Sequence, residues 1–78
     1  MLPNIGKVLE KNLNDIGVNT EEQLKNMGSK EAFIRIRQND AGACLHMLYG
    51  LQGAVEGIRD TQLSEETKED LRRFFKGL

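Results

Sequence analysis

Between Asp40 and Ile58 the chain reads DAGACLHMLYGLQGAVEGI, and this stretch decides the fold. Cys44, Met47, Leu48, Leu51, Val55 and Ile58 recur at spacings of three and four, the period of a helix and not of a strand. Asp40 is placed to cap that helix, which makes the span from Asp40 to Ile58 the longest in the chain. His46, Gln52, Glu56 and Arg59 form only a narrow polar strip, so other helices must cover most of the circumference. Gly42, Gly50, Gly53 and Gly57 lie in the same segment, although a glycine in a helix interior costs about 1 kcal/mol relative to alanine. Contact with neighbouring helices is the expected compensation. The spacing Gly53-x-x-x-Gly57 carries the alternative of a self-association face.

Outward from this core helix the same periodicity continues. A first helix is expected from Gly6 to Ile16, with Ile5, Leu9, Leu13 and Ile16 on one stripe and Gly17 ending it. Thr20 and Gln23 have the spacing of a capping box, which opens a second helix that buries Leu24 and Met27 and stops at Gly28. Ser29 is placed to cap a third helix reaching Gln38, with Phe33 and either Ile36 or Ile34 facing inward. Ser64 caps the last helix; its early acids and late Arg72, Arg73 and Lys76 match the helix dipole. Leu71, Phe74, Phe75 and Leu78 should dock it. The expectation is an all-α, compact bundle of about five helices, forming a single domain over residues 1–78.

Composition narrows the function classes. A chain of 78 residues buries a small core, which leaves little stability to offset the strain of an enzymatic pocket. The single cysteine, Cys44, cannot form an internal disulfide, and there is no signal-like or long apolar run, so a cytoplasmic protein without membrane contact is expected. Eleven Lys and Arg face twelve Asp and Glu, which excludes the strong global positive field of a non-specific nucleic-acid binder. The balance is uneven: residues 1–38 carry six basic and five acidic side chains, residues 39–78 five and seven. Any anion-facing surface is therefore expected in the first half.

One internal repeat stands out. Leu2-Pro3-Asn4-Ile5-Gly6-Lys7 is echoed 22 residues later by Leu24-Lys25-Asn26-Met27-Gly28-Ser29, each leading directly into an expected helix. The pattern is similar to the helix-hairpin-helix turn, with Asn4 and Asn26 standing where a left-handed glycine normally does. Backbone N–H groups at the start of a helix are unpaired and lie at its positive end, so such a turn can hold a phosphate. Lys7, Lys11, Lys25 and Lys30 lie on or just after the two turns, and Ser29 adds a hydroxyl. Asn4, Gly6, Lys7, Lys11, Lys25, Asn26, Gly28, Ser29 and Lys30 are thus the candidate nucleic-acid-binding residues. Glu10, Glu21, Glu22 and Glu31 lie close enough to weaken the field, and such turns also serve as plain connectors.

Three ordered blocks carry a family resemblance: LPNIGKVLEKNL from Leu2, GSKEAFIRIR from Gly28, and CLHMLYGLQGAVEGIR from Cys44. On these the chain resembles the C-terminal domain of the TfoX/Sxy family of bacterial competence regulators. The resemblance implies a helical domain with helix-hairpin-helix-like turns and an association with the regulation of DNA-uptake genes, without a known catalytic activity. Larger members carry a further N-terminal domain, which is expected to be absent here.

No residue outside the turns makes a stronger case. Cys44 and His46 are two apart on the expected helix and so point to different faces, with no second His or Cys to complete a metal site. Cys44 reads as a small buried hydrophobe, and Tyr49 as a buried ring with a bonded hydroxyl. No catalytic residue, metal or cofactor is assigned. Two readings stand open: a weak, sequence-independent DNA-binding module using both turns, or a protein-interaction module in which the turns are structural. A shared positive face around Asn4 to Lys11 and Asn26 to Lys30 would favour the first; lysines neutralised one by one would favour the second.

Overall fold

In the computed structural model, which describes residues 5–78, five α-helices and one short 3-10 turn make up the described chain. They are α1 (Lys7–Asp15), α2 (Glu21–Met27), α3 (Ser29–Asn39), α4 (Leu45–Glu56), the turn Asp60–Gln62, and α5 (Glu65–Lys76). The all-α bundle follows the sequence periodicity. Leu2, Pro3 and Asn4, the opening residues of the first copy of the repeat, lie outside the described residues.

Several helix boundaries have the local chemistry expected of them. At α2 the Gln23 backbone N–H donates to Thr20 Oγ1 at 3.1 Å, and the Thr20 N–H donates to Gln23 Oε1 at 3.1 Å, which closes the capping box. At α5 the Thr67 N–H donates to Ser64 Oγ at 3.0 Å. Gly17 ends α1 with a positive φ, and the Val18 N–H reaches back to the Leu13 carbonyl at 2.9 Å, burying Val18 against the core.

The core helix is shorter at both ends than the sequence suggests. Asp40 does not cap it: its carboxylate accepts from the Gly42 N–H at 2.9 Å in a local turn, and the cap position falls to Cys44. An aspartate can satisfy a turn as readily as a helix start, and here the turn takes it. At the other end Gly57 adopts a left-handed conformation, φ +74°, and the Ile58 N–H bonds to the Gly53 carbonyl at 2.9 Å. The chain folds back across Gly53 so closely that an added Cβ would lie 2.8 Å from the Ile58 carbonyl oxygen. The Gly53-x-x-x-Gly57 spacing is therefore a helix-ending device: Gly57 makes the turn and Gly53 admits the returning strand of chain. Only Gly50 meets another α-helix, with Leu9 Cδ2 3.8 Å from its ideal Cβ position. Gly53 packs on backbone of residues 58–60, and Gly57 has nothing within 4 Å.

Leu48, Leu51 and Ala54 of α4 are fully buried and pack with Leu24, Ala32, Phe33, Ile36 and Leu71. Each fully buried Leu or Phe of this set contributes roughly 1.5–3 kcal/mol. α4 contacts α2, α3, α5 and the 3-10 turn, which makes it the central element. Phe33 and Phe75 approach at 5.8 Å between ring centroids. The Tyr49 hydroxyl accepts from Arg72 Nη1 at 3.2 Å, tying α4 to α5 and raising the guanidinium pKa. Leu78, expected to dock, is instead exposed, and Ile34 is half-buried while Ile36 fills the core.

Candidate interaction surfaces

The second copy of the repeat is not a separate turn. Leu24 to Met27 form the last turn of α2, and Asn26 is an exposed helical residue, not a left-handed one. The reversal rests on Gly28 alone, with φ +88° and ψ 154°, a region that glycine occupies and L-residues avoid. Gly28 both ends α2, its N–H bonded to the Leu24 carbonyl at 2.8 Å, and starts α3, its carbonyl accepting from Ala32 at 3.1 Å. Ser29 is the first residue of α3 and does not cap it; its buried hydroxyl donates to Gln52 Oε1, whose Nε2 donates to Glu56 Oε2 at 2.7 Å. Gly6, by contrast, caps α1 in ordinary extended backbone, φ −74° and ψ 169°. The two glycines of the repeat play different parts.

The lysines are dispersed in the same way. Lys11 pairs with Asp15 at 3.4 Å and Lys25 with Glu21 at 3.4 Å, each one helical turn away. Lys30 pairs across helices with Asp70 at 2.7 Å and lies 5.3 Å from the centre of the Phe74 ring. This contact holds the Asp70 carboxyl below the usual aspartate range, the hydrogen bond from Lys30 being the main cause. Lys7 makes no ion pair among the described residues. Exposed pairs of this kind add little to stability, but each sets a carboxylate beside the lysine and so lowers the local positive charge open to a phosphate.

Two grooves divide the candidates. Gly28, Ser29 and Lys30 line one between α3 and α5, where Glu31, Glu66 and Asp70 are also present. Gly6 and Lys7 line the other, between the first turn of α1 and the N-terminal half of α4. Lys11, Lys25 and Asn26 line neither. Neither groove holds both sets.

The α1–α4 groove was invisible in the sequence because it joins residues 6–9 to residues 44–60. Its wall includes Cys44 and His46, which share the groove although helical spacing places them apart. Cys44 precedes the helix and is exposed, not buried in the core. His46 Nε2 lies 3.4 Å from Asp60 Oδ2. Among the described residues no group of three or more His, Cys, Asp or Glu is placed to hold a metal ion, and no helix is long and apolar enough to cross a membrane.

What the fold and these surfaces define is a small all-α domain wrapped around one central helix, with grooves where its neighbours diverge. The chain belongs to the TfoX C-terminal domain family, whose model matches residues 1–75. It is similar to Protein Sxy of Escherichia coli strain K12, at 29% identity over 77 residues. That match covers 99% of this chain but 37% of Sxy, so the chain spans little over a third of that relative. Two crystal structures from Listeria monocytogenes share the fold. An uncharacterized protein in a triclinic form matches at 53% identity and a TM-score of 0.90, over 94% of this chain and 83% of its own. A protein of unknown function in a tetragonal form matches at 51% and 0.94, over 97% and 93%.

Proposed function

We propose that this chain is a non-enzymatic regulatory module, related to competence regulation through its family, that works by contacting a protein and not by binding DNA. The observation that supports this most strongly is the disposition of the four candidate lysines. Three are paired with carboxylates, and the remaining one, Lys7, stands in a different groove from Gly28 and Lys30. A sequence-independent DNA contact requires several phosphates to be neutralised together, since its affinity comes from released counterions. One unpaired lysine among the four candidates, on a chain of net charge −1, offers little of that. The part of the DNA-uptake programme this module serves comes from the family relation alone.

The test is a titration of the protein into labelled duplex and single-stranded DNA at low ionic strength. Saturable binding is not expected at protein concentrations up to roughly 100 µM, the weak end of non-specific DNA affinities. A steeply salt-dependent complex that disappears in the Lys7→Glu, Lys30→Glu double variant would overturn the proposal. In the native host, deletion of the chain should alter transcript levels of DNA-uptake genes; unchanged transcripts would remove the regulatory assignment.

A further inference from the structure

The groove between α1 and α4 differs from the α3–α5 groove in both polarity and charge. Val8 is 73% exposed at its lip, whereas buried core hydrophobics are at most 8% exposed. Leu9 and Met47, each half-buried, line it further in, and Gly50 contributes no side chain, which keeps the floor open. The groove measures about 660 Å³. An apolar hollow beside an exposed valine is the kind of surface that gains from being covered.

Its charges select what covers it. Lys7 and Arg59 line the groove and make no ion pair among the described residues, and Asp60, 3.4 Å from His46, is the one carboxylate lining it. Two cations against one carboxylate leave the groove net positive around an apolar floor. The protein as a whole carries a net charge of −1, so any preference for an acidic ligand must arise locally. The α3–α5 groove offers no such selection, because three carboxylates, Glu31, Glu66 and Asp70, outnumber Lys30 and Arg73 there and Lys30 is bonded to Asp70.

We infer that the α1–α4 groove docks an amphipathic helical segment of a partner protein, its aliphatic side chains seated against Val8, Leu9 and Met47 and its flanking carboxylates meeting Lys7 and Arg59. This is the helix-in-groove mode, in which apolar anchors give affinity and the rim charges give orientation and selectivity. The inference rests on the protein-contact proposal above and assigns that contact a place and a chemistry.

The probe is a synthetic helical peptide of about 14 residues, roughly four turns, carrying Leu at helical spacing with Glu on either side. A charge-mirror peptide has every Glu replaced by Lys. Fluorescence anisotropy should show the Glu peptide binding at least about fivefold more tightly than its mirror, with the gap narrowing as salt rises. Val8→Asn should weaken it about tenfold by removing an apolar anchor, with no change in melting temperature. Lys7→Glu combined with Arg59→Glu should invert the preference. Cys44, the only cysteine, is exposed on the groove wall, so its reaction with a thiol reagent should slow when the Glu peptide saturates.

Absence of binding, equal binding of both peptides, or a preference that survives the charge reversal would overturn the groove assignment. So would a dimer, seen by sedimentation, that protects Cys44 in the free protein, because the occupant would then be a second copy. The two proposals fail separately. DNA binding alongside an intact peptide preference removes the functional proposal and leaves the groove; no peptide preference and no DNA binding removes the groove alone.

Discussion

Along the α3–α5 groove Lys30 is bonded to Asp70 at 2.7 Å and lies over Phe74, and the Ser29 hydroxyl is taken by Gln52. Along the α1–α4 groove Lys7 and Arg59 have no carboxylate partner among the described residues, and Val8 is left in solvent. Residues of the same type thus do opposite things in the two places. Where α5 supplies a partner from forty residues away, a lysine becomes part of the structure. Where α1 ends its contact with α4 at Leu9 and Gly50, the lysine stays available. The difference between a structural and a presented charge is a long-range one, set by which helices converge.

That contrast can be broken most easily in the closed region. Phe33→Ala removes a fully buried ring that meets Phe75, and should cost about 3–5 kcal/mol in denaturant unfolding; a loss under about 1 kcal/mol would show the α3–α5 side to be loosely packed. Gly53→Ala forces a methyl against the Ile58 carbonyl and should cost about 1–3 kcal/mol, outweighing the roughly 1 kcal/mol gained in helix propensity. Gly50→Ala, one turn earlier and facing the open groove, meets only Leu9 Cδ2 at 3.8 Å and should raise stability by about 0.5–1 kcal/mol. Opposite signs for two glycines on one helix would confirm that the returning chain closes over Gly53 while Gly50 faces open space; equal signs would not.

The smaller effects sharpen the electrostatic half of the contrast. Asp70 has a depressed pKa in the folded protein, so its contact with Lys30 contributes stability above the ordinary aspartate value, about 3.9, and loses it as pH falls through the lower folded value. Thermal melts from pH 7 down to pH 2 should therefore show a shallower acid decline for Asp70→Asn than for the wild-type protein, with no pH-dependent difference between them from pH 5 to 7. Identical acid limbs would mean the pair is not formed in solution. Val8→Asn should change unfolding free energy by less than about 0.5 kcal/mol, because the side chain it replaces is already in water.

Local chemistry was legible in the sequence and convergence was not. Thr20 with Gln23, Ser64, and the stop at Gly17 could be read because each motif is satisfied within a few residues. Asp40 was misread for the same reason, since two local structures compete for its carboxylate and the turn to Gly42 wins. The repeat matched in letters across residues 2–7 and 24–29, yet Leu24 to Met27 continue a helix already opened by the Thr20 capping box. Lysine count and spacing were visible, but the Lys30–Asp70 pair joins residues forty apart. The α1–α4 groove likewise depends on where two distant helices diverge, and one signal pointed toward it: Val8 stands beside the Ile5, Leu9, Leu13 stripe and not on it.

The two glycines that the repeat aligns are under unequal constraint. At Gly28 the backbone lies where an L-residue is strained, and the corner between α2 and α3 has no second residue to absorb the change. At Gly6 the backbone is one any residue adopts, nothing lies within 4 Å of a Cβ, and a serine or aspartate would add the side-chain cap that α1 lacks. Among descendants of this sequence, then, position 28 should stay frozen while position 6 drifts toward capping residues. The internal likeness between the two segments should fade from the first copy while the fold persists unchanged.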